Sequence, residues 1–227
     1  MSKKILMVSE YPPEKGAVSD YTYHILEHMD DEFRFDVLSE SGEDPGDRGL
    51  ENVEVIGSIP DEDGWRKMDL DEYDLIHFQY YVKGMREYLK YRMKGGKSPE
   101  TLITLHDVPS EFKHKLMFWY FRNVVLLSDQ TVKRFKEAHP VMTKLLDFNI
   151  YQAPYLGIDS DLPEKVRSMD YETDLNPEKI NVVCPGFIHE KKGYHKMPEI
   201  IEKLSEEYPD IRLTFAGGKH RNGSQEY

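Results

Sequence analysis

Short apolar runs alternate along this chain with stretches whose apolar residues recur every three or four positions. The runs predict β-strands at 4–9, 33–40, 53–59, 74–81, 101–106, 123–128 and 149–154. The longer period predicts helices at 18–29, from the end of the fourth strand to about residue 93, at 111–121 and at 129–138. In the first of them one face carries Val18, Tyr21, Thr22, Ile25, Leu26 and Met29.

Several of the predicted strands are apolar at every position, as in ILMV and VVLL. Such strands are buried on both faces, which is typical of a parallel sheet covered by helices on both sides. We therefore expect an α/β fold, with a doubly wound, Rossmann-like parallel sheet as the first domain over residues 1–160.

A polar segment at 161–179 predicts a linker, and a second α/β pattern follows it. Strands are expected at 180–188 and 211–218, with a helix at 195–208 between them. We interpret 180–227 as the beginning of a second Rossmann-like domain that is cut short, because a parallel βαβ unit needs neighbours on both faces.

The composition narrows the class of protein. The 227 residues carry a formal net charge of −12, so nonspecific binding to nucleic acid is not expected. Neither a membrane span nor a secretory signal is expected, and the single cysteine excludes a disulfide within the chain. A cytoplasmic protein is predicted. The aromatic residues at 117–121 leave peripheral contact with a membrane surface open, although packing in a core is the simpler interpretation.

Ligands of doubly wound sheets bind beyond the carboxyl ends of the strands, so polar residues there are the first candidates. The stretch VSEYPPEKGAVSDYT, residues 8–22, leads from the first strand into the first helix. Gly16 would let a phosphate or sugar approach the backbone at the helix N-terminus, where anions are favoured. A plain tight turn explains the same residues.

Two further candidates follow other strands. His106 could hydrogen-bond a sugar hydroxyl or transfer a proton, or it could simply end its strand. Lys191 and Lys192, in GFIHEKKGYHK, would lie near a helix N-terminus as a second anion site, or in a charged surface turn. The spacing of the histidines indicates no zinc site, and the acidic stretch 61–74 is interpreted as solvated surface. The motifs of P-loop proteins, of dinucleotide binding and of the serine nucleophile elbow are missing.

Taken in order, these stretches resemble the family 4 retaining glycosyltransferases, which are built from two Rossmann-like domains (the GT-B fold). ILMVSEYPPEKGAVSDYTYHILEHM is similar to the first strand, glycine loop and first helix of that family. YDLIHFQYY and TLITLHDVP resemble the segments D-[IV]-[IV]-H-x-Q and T-x-H-D, and VVLLSDQTVKRF the strand, serine and helix that follow. APYLGID is similar to the exit from the first domain. VVCPGFIHEKKGYHKMPEIIEKLSEEYPDIRLTFAGG resembles the opening of the second.

The resemblance implies a transferase that moves a sugar from a nucleotide-sugar donor to a sugar, lipid-linked or other hydroxyl acceptor, with retention. It implies that Gly16 lies near the donor phosphates and the acceptor, that His106 contacts the donor sugar, and that Lys192, with Lys191 beside it, neutralises the diphosphate. It also implies that no metal or other cofactor is needed. Because the paired-glutamate segment of the family is not reached, a truncated, noncatalytic subunit and a sugar-phosphate-binding module are the alternatives. The oligomeric state is left open.

Overall fold

The computed structural model describes residues 2–79, 84–106, 108, 118, 120–145, 148–153, 178–185 and 193–216. Contacts between residues divide the chain into two compact units, Met1–Ile158 and Asp159–Tyr227. Each unit is described by itself.

The first unit is built on a seven-stranded sheet in which every strand is parallel to its neighbours. The strands are β1 Lys3–Val8, β2 Phe33–Ser39, β3 Val53–Ser58, β4 Leu75–Gln79, β5 Glu100–Leu105, β6 Asn123–Leu126 and β7 Asn149–Gln152. Their order in the sheet is β3-β2-β1-β4-β5-β6-β7. This confirms the predicted α/β class with a doubly wound, Rossmann-like sheet.

Helices connect these strands. They are α1 Ala17–Glu27, α2 Glu62–Lys67, α3 Met85–Met93, α4 Asp129–Ala138 and α5 Pro140–Leu145, with short 3-10 turns at Gly46–Arg48 and Leu70–Glu72. The predicted helix at 111–121 and the predicted linker at 161–179 lie almost entirely outside the described residues.

Side chains of β1 alternate between two cores. Ile5 and Met7 belong to a cluster with Phe35 and Val37, while Leu6 and Val8 belong to a cluster around Ile76, Phe78, Trp65 and Tyr88. Because successive residues of a strand point to opposite faces, this division shows that both faces of the sheet are covered. The strands are therefore apolar at every position because they are buried on both faces, as predicted.

In the stretch 61–74 the acidic side chains are mostly exposed, as the interpretation as solvated surface requires, but the same stretch also forms a helix that contributes to the core. Asp61 caps α2 by accepting a hydrogen bond from the Gly64 N–H at 2.8 Å, and Trp65 is fully buried in the larger core. The acidic residues lie on the outer side of a short helix whose inner side carries the tryptophan.

The second unit contains one βαβ arrangement among its described residues. Strands β8 Ile180–Pro185 and β9 Ile211–Ala216 pair in parallel, and helix α6 Met197–Ser205 lies between them in sequence, after a 3-10 turn at Tyr194–Lys196. Ile180, Val183 and Phe215 remain exposed on this pair of strands. None of the helices in the described ranges is long and apolar enough to cross a membrane.

Candidate functional site at the carboxyl edge of the sheet

The strand order reverses between β1 and β4, which are adjacent in the sheet but distant in sequence. In open α/β sheets the connections on either side of such a reversal run to opposite faces and leave a crevice beyond the carboxyl ends of the strands. Residues that follow β1, β4 and β5 therefore share one edge of the sheet.

Gly16 lies on this edge as the residue that precedes helix α1. Its backbone is extended, with φ 165° and ψ 161°, and it accepts the first hydrogen bond of the helix from the Asp20 N–H at 3.0 Å. Gly16 has no side chain that could cap the helix, so the first-turn N–H groups are left to other acceptors. Any residue can adopt this extended backbone conformation, so the conformation does not explain why a glycine is found here.

Space at Gly16 is limited by a carboxylate. A Cβ placed on Gly16 would lie 3.1 Å from Oε2 of Glu10, which follows β1. The negative charge of Glu10 thus lies against the positive end of the α1 dipole, a favourable arrangement. The same charge opposes a phosphate at that point and favours groups that donate hydrogen bonds, such as sugar hydroxyls.

The loop before α1 is fixed by its own side chains. The Glu14 carboxylate accepts hydrogen bonds from the Tyr11 N–H at 3.2 Å and from the Ser41 N–H, and the Ser19 hydroxyl donates to the Glu14 carbonyl at 2.7 Å. The face that α1 buries is centred on Ser19, Thr22 and Leu26. The loop is therefore tied both to the helix that it precedes and to the segment after β2.

His106 follows β5 and is in contact with helix α1. Its ring meets the ring of Tyr21 edge to face, with centroids 4.8 Å apart and an interplanar angle of 77°. Tyr21 lies in the second turn of the helix that Gly16 begins. The two predicted site residues of the first unit, Gly16 and His106, are thus brought to one edge of the sheet and joined through Tyr21.

Gln79, the last residue of β4, completes the cluster. Its side chain is fully buried, and its Oε1 lies 3.5 Å from Nε2 of His106. Its Nε2 has no hydrogen-bond partner in the part of the chain that the structure describes. A buried polar atom without a partner needs an explanation, such as a bound water or a functional role.

Burial sets the charge state of the two rings. It lowers the pKa of the His106 imidazole below its ordinary value, so at neutral pH the ring is mainly uncharged. It raises the pKa of the Tyr21 hydroxyl, which stays protonated. A neutral imidazole carries one donor and one acceptor nitrogen, which suits it to hydroxyl groups.

Of the other predicted site residues, Lys191 and Lys192 lie outside the described residues, and their role stays a prediction. Tyr21 was missed as a site residue, because its spacing placed it on the apolar face of α1 and no motif distinguished it. Among the described residues no group of three or more His, Cys, Asp or Glu side chains could hold a metal ion.

A comparison of the chain with models of known protein families found no match, and a search among curated proteins found none either.

Proposed function

We propose that the protein transfers a sugar from a nucleotide-sugar donor to an acceptor hydroxyl, with retention of configuration. One observation supports this above the others: the loop after β1, the end of β4 and the residue after β5 meet at the edge where the strand order reverses. They carry Glu10 and Gly16, Gln79, and His106 respectively. This edge is where doubly wound sheets bind their ligands. The ordered resemblance of the chain to retaining glycosyltransferases suggests which ligand that is.

His106 would orient the donor sugar. Its neutral ring can hydrogen-bond a sugar hydroxyl without carrying charge, and Tyr21 holds it from the side of α1. Because the ring is uncharged, a nearby carboxylate or phosphate does not attract the imidazole away from the sugar. We therefore assign His106 to the sugar rather than to the phosphates.

Gly16 and its loop would position the acceptor. The Glu10 carboxylate beside Gly16 accepts hydrogen bonds and carries negative charge, so an acceptor hydroxyl fits this point better than a phosphate does. The predicted contact of Gly16 with the donor phosphates stays a prediction. It requires the N–H groups of the first turn of α1 to outweigh that charge.

Lys191 and Lys192 would neutralise the diphosphate as it leaves. Two ammonium groups near a helix N-terminus stabilise developing negative charge without a metal ion. Transfer then forms a bond between the anomeric carbon and the acceptor oxygen, breaks the bond to the diphosphate oxygen and passes the hydroxyl proton to the departing diphosphate. The acceptor would be a sugar or lipid-linked hydroxyl.

The test is to incubate the protein with a panel of nucleotide-sugars, to measure binding by calorimetry and to follow release of the nucleoside diphosphate. We expect one donor to bind and His106→Ala to weaken its binding at least tenfold, which corresponds to about 1.4 kcal/mol. His24→Ala is the matched control, since His24 is exposed on α1. It should bind like the unchanged protein.

The outcomes separate the alternatives. Failure to bind any nucleotide-sugar overturns the proposal. Binding of sugar phosphates without binding of nucleotide-sugars would instead support the sugar-phosphate-binding module. Donor binding that never leads to release or transfer would support a noncatalytic subunit.

A further inference from the structure

We propose that Gln79 is a positioning residue whose amide oxygen keeps the proton of the His106 imidazole on Nε2. The atoms that carry this inference are Gln79 Oε1 and His106 Nε2, 3.5 Å apart. An amide oxygen can only accept a hydrogen bond, so the ring nitrogen that faces it must be the donor. The tautomer of a histidine is set in this way by the partner of one of its nitrogens.

The position of Gln79 in the sheet limits how its side chain can move. It is the last residue of β4 and pairs in register with Thr104 of β5, two positions before His106. The side chain has no exposed surface. Strand pairing and burial therefore hold the amide next to the imidazole, as a residue on a mobile surface loop would not.

The NH₂ group of Gln79 shows that burying this side chain lowers the stability of the folded protein. Gln79 Nε2 is buried and has no partner among the described residues. An apolar residue of similar size would avoid that cost, since replacing a buried polar group by an apolar one of the same shape is often neutral or favourable. A glutamine is explained here if its oxygen is needed by His106.

Tyr21 limits the imidazole from a second direction. Its ring packs edge to face on His106 from helix α1, while Gln79 approaches from the neighbouring strand. Together they fix the plane of the ring and the nitrogen that carries the proton. The benefit of this fixed tautomer for binding a sugar hydroxyl rests on the proposed function. The assignment of the tautomer is independent of that function.

The tautomer can be measured on the full chain without any ligand. Histidine labelled with ¹⁵N gives different two-bond correlation patterns for the Nε2–H and Nδ1–H forms, and the spectrum of a His106→Asn variant identifies the His106 signals. We expect Nε2–H to dominate at neutral pH. Gln79→Met, which lacks the acceptor oxygen, should shift the tautomer ratio by about tenfold towards Nδ1–H, the effect expected of one hydrogen bond.

Two further variants make the experiment specific. Gln79→Glu keeps an acceptor oxygen and should keep a proton on Nε2, in the neutral ring or in the imidazolium that a neighbouring carboxylate favours. Thr104→Val is the matched control, because the Thr104 hydroxyl lies 2.8 Å from Nε2 of another half-buried histidine, His77 of β4. It should change the signals of His77 and leave those of His106 as they are.

An Nδ1–H pattern in the unchanged protein would overturn the proposal, since the amide would then face His106 with its NH₂ group. An unchanged pattern in a folded Gln79→Met variant would overturn it as well. If that variant does not fold, the unchanged protein still decides: a fraction of Nε2–H no larger than in a free neutral imidazole, which already favours that tautomer, would overturn the proposal. Because no nucleotide-sugar takes part, failure of the proposed transferase activity would leave this result intact.

Discussion

The ring of Tyr21 lies edge to face on the ring of His106, with 4.8 Å between their centroids. Tyr21 belongs to the helix after β1 and His106 to the loop after β5, so the contact spans β4, which lies between those strands in the sheet. It places the first turn of α1 and the imidazole on a common edge.

Replacing Tyr21 should separate the contribution of its ring from that of its hydroxyl. Tyr21→Ala removes a half-buried aromatic ring and should destabilise the first unit by about 2 kcal/mol. Tyr21→Phe keeps the ring and should cost less than about 0.5 kcal/mol. Urea unfolding followed by tryptophan fluorescence measures both, since Trp65 is fully buried in this unit. Equal stability of the two variants would contradict a packing role for the ring.

Gly16→Ala tests close approach to the backbone. The extended backbone accepts alanine, and the new methyl group would need only the Glu10 side chain to move by a few tenths of an ångström. We expect stability to change by less than about 1 kcal/mol while calorimetry shows weaker acceptor binding. Gly49→Ala, at an exposed glycine with φ −64°, is the control and should leave binding unchanged. Unaltered acceptor binding in Gly16→Ala would show that no ligand approaches this glycine.

Glu10→Gln distinguishes an acceptor site from a phosphate site at the start of α1. Removing the charge should leave the dissociation constant of the nucleotide-sugar within about twofold, because we assign the phosphates elsewhere. Transfer to the acceptor should slow. Calorimetry and the rate of nucleoside diphosphate release measure the two effects. A marked gain in donor affinity would show that the phosphates lie next to Glu10 after all.

The stability of the first unit should depend on pH through His77. Its imidazole hydrogen-bonds the Thr104 hydroxyl at 2.8 Å, and burial lowers its pKa to about 4. An unfolded histidine has a pKa of about 6.5, so unfolding takes up a proton between these two values. Stability is therefore full above pH 6.5 and falls as the pH drops towards 4, by at most about 3 kcal/mol.

His77→Gln isolates that contribution. The variant has no group that titrates at this position, so its stability should fall less between pH 7.5 and 4.5 than that of the unchanged protein. Urea unfolding at several pH values makes the comparison, and the other titrating groups, His106 among them, are common to both proteins. Parallel pH profiles would mean that His77 takes no part.

Asp36 and Tyr73 provide a test of stability away from the candidate site. Asp36 Oδ2 accepts a hydrogen bond from the Tyr73 hydroxyl at 2.7 Å and forms an ion pair with Lys4 at 2.9 Å. Burial and the bond to Asp36 raise the pKa of Tyr73, so its hydroxyl remains a donor. Asp36→Ala leaves that donor without its acceptor and should cost about 1–3 kcal/mol, against about 1 kcal/mol for Tyr73→Phe. Donor binding should not change in either variant, and a loss of binding would show that the network reaches the site.

The sequence predicted the sheet well because apolar periodicity reports burial directly. All seven strands of the first unit were located, and Gly16 and His106 were singled out from their positions after strands. The ends were less accurate: β6 was predicted at 123–128, whereas the structure has Asn123–Leu126, because the apolar run continues past the last residue that pairs with β7.

What could not be predicted depends on contacts between distant residues. Helix α2 was missed because its charged residues outweighed the signals of an Asp61 cap and a single buried Trp65. The short helix Pro140–Leu145 was not predicted, although proline at its first position is a known helix start. The contact of Tyr21 with His106 has no local signature, since a tyrosine on the apolar face of a helix is indistinguishable from ordinary core packing.

The reversal of strand order has a consequence for how such a protein can diversify. Gly16 follows β1, Gln79 ends β4 and His106 follows β5, and the three strands belong to one sheet. A substitution or insertion in one loop therefore changes one side of the crevice at this edge and leaves the other sides and the sheet unchanged. Ligand selectivity can therefore change through one loop at a time, while the sheet that carries the loops stays the same.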